Sequence, residues 1–127
     1  MESYFLNEKG NFKENLLNIE AKGEAEKLRS AKPKLNETQI RKFFNEVKFF
    51  EKRLKDNNNS DECFEKIFPL IKMLKAKVAY AFGRRVVPKE FVDFLNKNIN
   101  EIKSKKDFQA FALHFEAIVG YYYEKGF

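Results

Sequence analysis

Apolar residues recur at helical spacing along most of this chain, and few residues interrupt the pattern. One face of the segment 37–55 collects apolar side chains at steps of three and four: Ile40, Phe43, Phe44, Val47, Phe50 and Leu54. The 127 residues include only five glycines and three prolines, and the alternation of apolar and polar residues typical of strands is rare. The sequence therefore predicts an all-α fold.

Start and stop signals divide the chain into a compact bundle of about five helices. The predicted helices cover residues 11–29, 37–55, 61–82, 88–103 and 105–124. Asn36, Ser60 and Ser104 stand where N-caps are expected, and Gln39 follows Asn36 at capping-box spacing. Pro88 suits the first position of a helix, and Gly83 suits the end of one.

Residues 1–127 are predicted to form one domain whose first helix is marginal. Its apolar set is thin, and the segment 30–35, which contains Pro33, is the one linker candidate before the next helix. A helix that is weakly held behind such a segment could be exchanged between two copies. A homodimer of the isolated chain is therefore an open alternative.

Positive charge is concentrated in the middle of the chain. The net charge is +6 overall, and residues 31–85 hold 14 basic and 7 acidic residues, a net +7. Residues 1–30 carry −1 and residues 86–127 carry 0. A basic segment inside a folded domain indicates a polyanionic partner, most often a nucleic acid.

The second predicted helix places a row of cations beside its core face. Arg41, Lys48, Lys52 and Lys55 share one arc, on which no acidic residue falls. Such a row repels itself unless an anion neutralises it, so a bound phosphate is one interpretation and a solvated basic face is the other. Phe49 lies opposite the core, where it is either a stray exposed ring or a contact for a partner or a base.

The third predicted helix has cations on both shoulders of its core face. The predicted core residues are Cys63, Phe64, Ile67, Leu70, Ile71, Leu74, Val78, Ala81 and Phe82. Lys77 and Arg84 lie on one shoulder and Lys75 on the other, where long stems can cover apolar surface. Arg84 and Arg85 end the helix, so favourable interaction with the helix dipole is the alternative to a phosphate contact.

The residues give no sign of catalysis. There is one cysteine and one histidine, Cys63 and His114, and no P-loop, dinucleotide-binding or HExxH motif. We expect no enzyme, no metal and no cofactor. A single cysteine, an N-terminus unlike a signal peptide, and no apolar run of about 18 residues predict a cytoplasmic protein outside the membrane.

Three stretches resemble a known family in the same order along the chain. They are ETQIRKFFNEV (37–47), IKMLKAKVAYAFGR (71–84) and FQAFALHFEAIVGYY (108–122). Their pattern resembles the small subunit of type III-A CRISPR effector complexes, the Csm complex. The resemblance covers about residues 35–123 and leaves the first helix outside.

The resemblance implies a five-helix bundle that cleaves nothing. Several copies would stack along the guide RNA and target RNA, beside the backbone and large subunits of the complex. Carried over by position, the RNA-binding residues would be Arg41 and Lys42 in the first motif, and Lys75, Lys77 and Arg84 in the second. Arg85 follows the second motif directly, and Lys48 and Lys52 are predicted from the helix face alone.

Two other functions fit the basic faces. The chain could be a free-standing helical nucleic-acid-binding protein, although no helix shows base-reading Asn, Gln and Arg residues in its first turn. It could also be a structural subunit whose basic rows meet acidic surfaces of protein partners. Co-purification with other subunits and a small guide RNA would distinguish these functions.

Overall fold

The computed structural model describes residues 2–124, and all of its regular structure there is helical. Met1 and residues 125–127 of the predicted domain lie outside the described residues. The helices of the described part are α1 (Glu14–Leu17), α2 (Ile19–Ser30), α3 (Glu37–Asp56), α4 (Asp61–Gly83), α5 (Lys89–Asn100) and α6 (Lys105–Glu124). The all-α prediction is confirmed, and the predicted first helix is divided in two.

Side-chain caps set the starts of the three longest helices. The N–H of Gln39 donates to Oδ1 of Asn36 over 2.9 Å, that of Cys63 to Oγ of Ser60 over 3.1 Å, and that of Asp107 to Oγ of Ser104 over 3.1 Å. These three caps confirm the sequence prediction. The reciprocal half of the capping box at α3 is absent from the described hydrogen bonds, since Oε1 of Gln39 is buried without a partner.

Helix ends agree less closely with the prediction. Helix α4 runs through Pro69 to Gly83, and α5 ends at Asn100, three residues before the predicted end. Pro88 is the N-cap of α5 rather than its first residue. Side-chain caps are local, whereas helix ends also depend on packing, which the sequence does not show.

The N-terminal region is packed against the bundle instead of standing apart. Asn18 interrupts the predicted helix with non-helical φ and ψ angles of −136° and −80°. Helix α2 then buries Ala21, Ala25 and Leu28 on a face that contacts α6. Small alanine side chains let two helices approach closely, so the thin apolar face seen in the sequence is nevertheless a well-buried one.

The core is an aromatic cluster between α3, α5 and α6. Phe94 of α5 meets Phe111 and Phe115 of α6 with ring centroids 6.3 and 5.6 Å apart, and Phe43 of α3 meets Phe91 of α5 at 5.3 Å. Helix α4 packs against α3 and α5, while α1 and α2 pack on α6. The outer sides of α3 and α4 are therefore left together at one side of the bundle.

Candidate nucleic-acid interface

Three of the four cations of the predicted row on α3 are ion-paired, on the side of α3 next to α6. The fourth, Lys55, is exposed and has no ion pair among residues 2–124. Nζ of Lys48 is 2.7 Å from a carboxylate oxygen of Glu51 and 3.1 Å from one of Glu116 on α6. Lys52 pairs with Asp56 over 2.8 Å. Arg41 pairs with Glu37, and its Nη2 also lies 3.5 Å from the hydroxyl of Tyr123.

These pairs correct the prediction of an unneutralised row. Glu37 lies on the same arc as the row, which the prediction overlooked. The other acidic partners sit one turn away on α3 or on α6, within reach of the long lysine side chains. The pKa of Lys48 is raised, chiefly by its hydrogen bond to Glu51, and that of Arg41 is raised, chiefly by its hydrogen bond to Tyr123. Because exposed ion pairs contribute little to stability, a phosphate can still replace a carboxylate here.

A second group of cations lies where α3 and α4 are adjacent. Lys77 of α4 forms an ion pair with Glu46 of α3. Lys42 is one helical turn before Glu46 and therefore lies on the same side of α3. It is exposed, and among residues 2–124 it has no carboxylate partner. Lys42 is thus a cation available to an external anion.

Two arginines close α4 at the same end of this surface. The guanidinium of Arg84 lies 5.7 Å from the centroid of the Tyr80 ring, a cation–π contact. Arg85 is exposed and has a left-handed backbone with a φ of 63°. Its N–H donates to the carbonyl of Phe82 over 2.9 Å, so the strained residue belongs to the turn that ends the helix.

Lys75 stands apart from the other predicted residues. Its Nζ donates to Oδ1 of Asn100 over 2.6 Å, which places it between α4 and α5. Lys72 and Lys103 line the same shallow depression. The eight predicted residues therefore occupy three places: the α3–α6 edge with Arg41, Lys48 and Lys52, the α3–α4 side with Lys42, Lys77, Arg84 and Arg85, and the α4–α5 side with Lys75.

Part of the apolar surface of α4 is exposed, contrary to the prediction from sequence. Leu70 and Phe82, which the helical spacing predicts in the core, are 45% and 43% exposed. Met73 and Tyr80 are also exposed on α4, and Phe49 is exposed on α3. The helical spacing of Leu70, Met73 and Tyr80 was a signal that they share one side, but burial by neighbours could not be read from it.

The cysteine and the histidine are in separate surroundings. Cys63 is a buried free thiol whose Sγ is 3.7 Å from the carbonyl of Arg53. His114 is buried on α6, where Nδ1 is hydrogen-bonded to the carbonyl of Leu16. Burial lowers the pKa of His114, so its neutral form is favoured at neutral pH. Both residues contribute to packing in this structure.

Comparison with family models decides which family these features represent. A model described as Csm2 Type III-A matches residues 12–126. The chain belongs to the Csm2 family. Searches of curated proteins and of solved structures gave no match.

Membership makes this Csm2 chain a small subunit of the type III-A Csm complex, as the three motifs indicated. The match begins at residue 12 and so includes the N-terminal helices, which the motif resemblance left out. Between residues 2 and 124, no helix combines the length and apolar character needed to cross a membrane.

Proposed function

We propose that this Csm2 chain is a non-catalytic, RNA-binding small subunit of a cytoplasmic type III-A CRISPR ribonucleoprotein. It acts as one helical domain without a cofactor. Several copies lie side by side along the guide RNA and target RNA and contact the backbone and large subunits. In isolation the chain is a monomer or a homodimer. Family membership over residues 12–126 supports the assignment to the complex.

The observation that carries RNA contact is the set of cations on the α3–α4 side. Lys42, Arg84 and Arg85 are exposed and have no carboxylate partner among the described residues. Lys42 projects from helix α3 and the two arginines project from the turn that ends helix α4, so their backbone is already ordered when they meet phosphates. An ordered backbone increases affinity, because side-chain freedom is then the main freedom lost on binding.

The ion-paired cations are a second group of phosphate contacts. Arg41, Lys48, Lys52 and Lys77 each exchange a carboxylate for a phosphate when RNA binds, and Lys75 exchanges an amide oxygen. The exchange replaces one interaction by another, so each of these residues adds less to affinity than an unpaired cation does. The acidic partners also limit binding to arbitrary polyanions.

Titration of the purified chain with labelled RNA tests this proposal. Lys42→Ala and Arg84→Ala should each weaken binding of single-stranded RNA and reduce the slope of log K against log salt by about 0.7. Lys22→Ala, which removes an exposed lysine from α2, is the matched control. Equal losses for Lys22→Ala would show that only net charge matters and would overturn the assigned contacts.

A further inference from the structure

Large apolar side chains are exposed beside the cations of α3 and α4. Phe49 is 60% exposed, Leu70 45%, Met73 50% and Tyr80 67%. We call these four residues, together with Lys42, Arg53, Lys77 and Arg84, the α3–α4 face. Single exposed apolar residues are common, but several on one side of two adjacent helices indicate a binding surface.

Contacts between the two helices place Phe49 level with Leu70 and Met73, and Tyr80 follows further along α4. Glu46 of α3 pairs with Lys77 of α4, and the carbonyl of Arg53 accepts from Sγ of Cys63. The helices are therefore antiparallel, and the α3 segment 46–53 runs alongside the α4 segment 63–77. Phe49 consequently lies opposite the part of α4 that carries Leu70 and Met73.

The charges on this face favour an anionic ligand over a neutral or basic one. Arg53 lies toward one end and Arg84 toward the other, with Lys42 and Lys77 between them. Glu46 and Glu62 are acidic residues beside these cations, and they are paired with Lys77 and Lys66. A ligand that carries negative charge and flat apolar groups together matches this composition, and unpaired RNA has both.

The two exposed aromatic rings are held in place by neighbours. The Arg84 guanidinium lies 5.7 Å from the Tyr80 ring centroid. Phe49 meets Phe50 at its edge, with centroids 5.7 Å apart and an interplanar angle of 66°. A ring supported on one side and open on the other can stack a base without losing much freedom.

We propose that the α3–α4 face binds unpaired nucleotides of RNA, with bases stacked on Phe49 and Tyr80 and phosphates held by the surrounding cations. The distance from Leu70 to Tyr80 along α4, about 15 Å, accommodates about four nucleotides at the per-strand spacing of nucleic acid. A continuous duplex cannot use these rings, because its bases are paired and stacked inside. This inference rests on the proposed RNA-binding function and specifies the form of RNA that it takes.

Binding of three probes to the full chain tests the inference. The probes are a 12-nucleotide oligoadenylate RNA, an abasic ribose-phosphate strand of equal length, and a paired RNA duplex of the same length. Phe49→Ala and Tyr80→Ala should each weaken oligoadenylate binding about 5- to 150-fold, the equivalent of one stacked base. Duplex and abasic binding and the salt slope should stay unchanged, and Tyr80→Phe should retain wild-type binding.

A control variant and three alternative outcomes separate base stacking from other roles of the face. Ile19→Ala removes a side chain that is 72% exposed on α2 and should change nothing. Equal affinity of the wild-type chain for oligoadenylate and the abasic strand would overturn stacking and leave the phosphate contacts standing. If Phe49→Ala and Tyr80→Ala kept RNA binding but lost self-association, the face would be a contact between protein copies instead. If the wild-type chain bound none of the three probes, both this inference and the proposed function would be overturned.

Discussion

At the scale of single residues, buried polar groups report how the N-terminal region is held. The hydroxyl of Tyr122 on α6 donates to the carbonyl of Leu35, and His114 on the same helix is bonded to the carbonyl of Leu16. Leu16 and Leu35 lie on either side of α2. Because a carbonyl only accepts, Nδ1 of His114 carries the proton in the neutral ring.

His114 makes stability depend on pH. Burial lowers its pKa below the ordinary value of about 6.5, so the unfolded chain binds more protons in the interval between the two values. Stability contributed by neutral His114 is present above pH of about 6.5 and is lost as the pH falls below it. Urea unfolding of the wild type and of His114→Gln between pH 7.5 and 5.5 measures this contribution.

His114 lines a cavity together with other titratable groups, so its contribution is measured as the difference between the wild type and His114→Gln. The other groups are Tyr4, Glu20, Glu24, Lys27, Asp93 and Lys97. Burial raises the pKa of Glu24, which makes the fold more favourable as the pH falls and so opposes the effect of His114. The wild type should lose more stability than His114→Gln over this interval. Parallel curves would contradict the assignment.

At the scale of elements, the end of α4 joins a strained backbone to a proposed contact. A left-handed conformation costs an L-residue about 1–2 kcal/mol, and glycine adopts it freely. Arg85 nevertheless occupies this position, and Gly83 lies two residues before it. An arginine in such a place is consistent with a functional demand on its side chain.

Arg85→Gly should therefore separate stability from binding. Its free energy of unfolding should rise by about 1 kcal/mol, because the left-handed strain is relieved. RNA affinity should fall, because a cation is lost. Arg84→Gly is the control for stability, because Arg84 has a φ of −82° and its replacement relieves no left-handed strain. Lower stability of Arg85→Gly would show that its backbone is not strained.

The packing of α2 against α6 gives a second prediction at this scale. Ala25 is buried where the two helices meet, so Ala25→Leu should overpack the contact and reduce the free energy of unfolding by about 1–3 kcal/mol. Glu26→Leu changes the neighbouring exposed position and should stay within about 0.5 kcal/mol of the wild type. Chemical denaturation compares the two. An unchanged free energy of unfolding in Ala25→Leu would mean that α2 is loosely packed against α6.

At the scale of the whole molecule, local features were predictable and contacts between helices were not. The caps Asn36, Ser60 and Ser104 depend on residues three positions away and were found from the sequence. The ion pairs Lys48–Glu116 and Lys77–Glu46 join residues far apart in the chain. The helical pattern of a single segment could not predict these pairs, so the basic rows were predicted without acidic partners.

The N-terminal region shows the same limit. Phe5 is fully buried and packs near Phe111 on α6, but residues 1–10 contain no helical pattern that would mark it as core. Ala21 and Ala25 carry little hydrophobic signal and become buried only because α6 offers them a close surface. The fold class and most helices followed from periodicity, whereas which faces are covered followed from packing.

Native mass spectrometry of an assembled type III-A complex tests whether Lys42, Arg84 and Arg85 hold several copies of the chain on RNA. The complex would be assembled from its other subunits and a guide RNA with either the wild-type chain or the triple variant Lys42→Ala/Arg84→Ala/Arg85→Ala. We expect several copies of the wild-type chain in each RNA-containing complex, and fewer copies of the triple variant despite an unchanged melting temperature. Full occupancy by the triple variant, or absence of the wild-type chain from the complex, would contradict it.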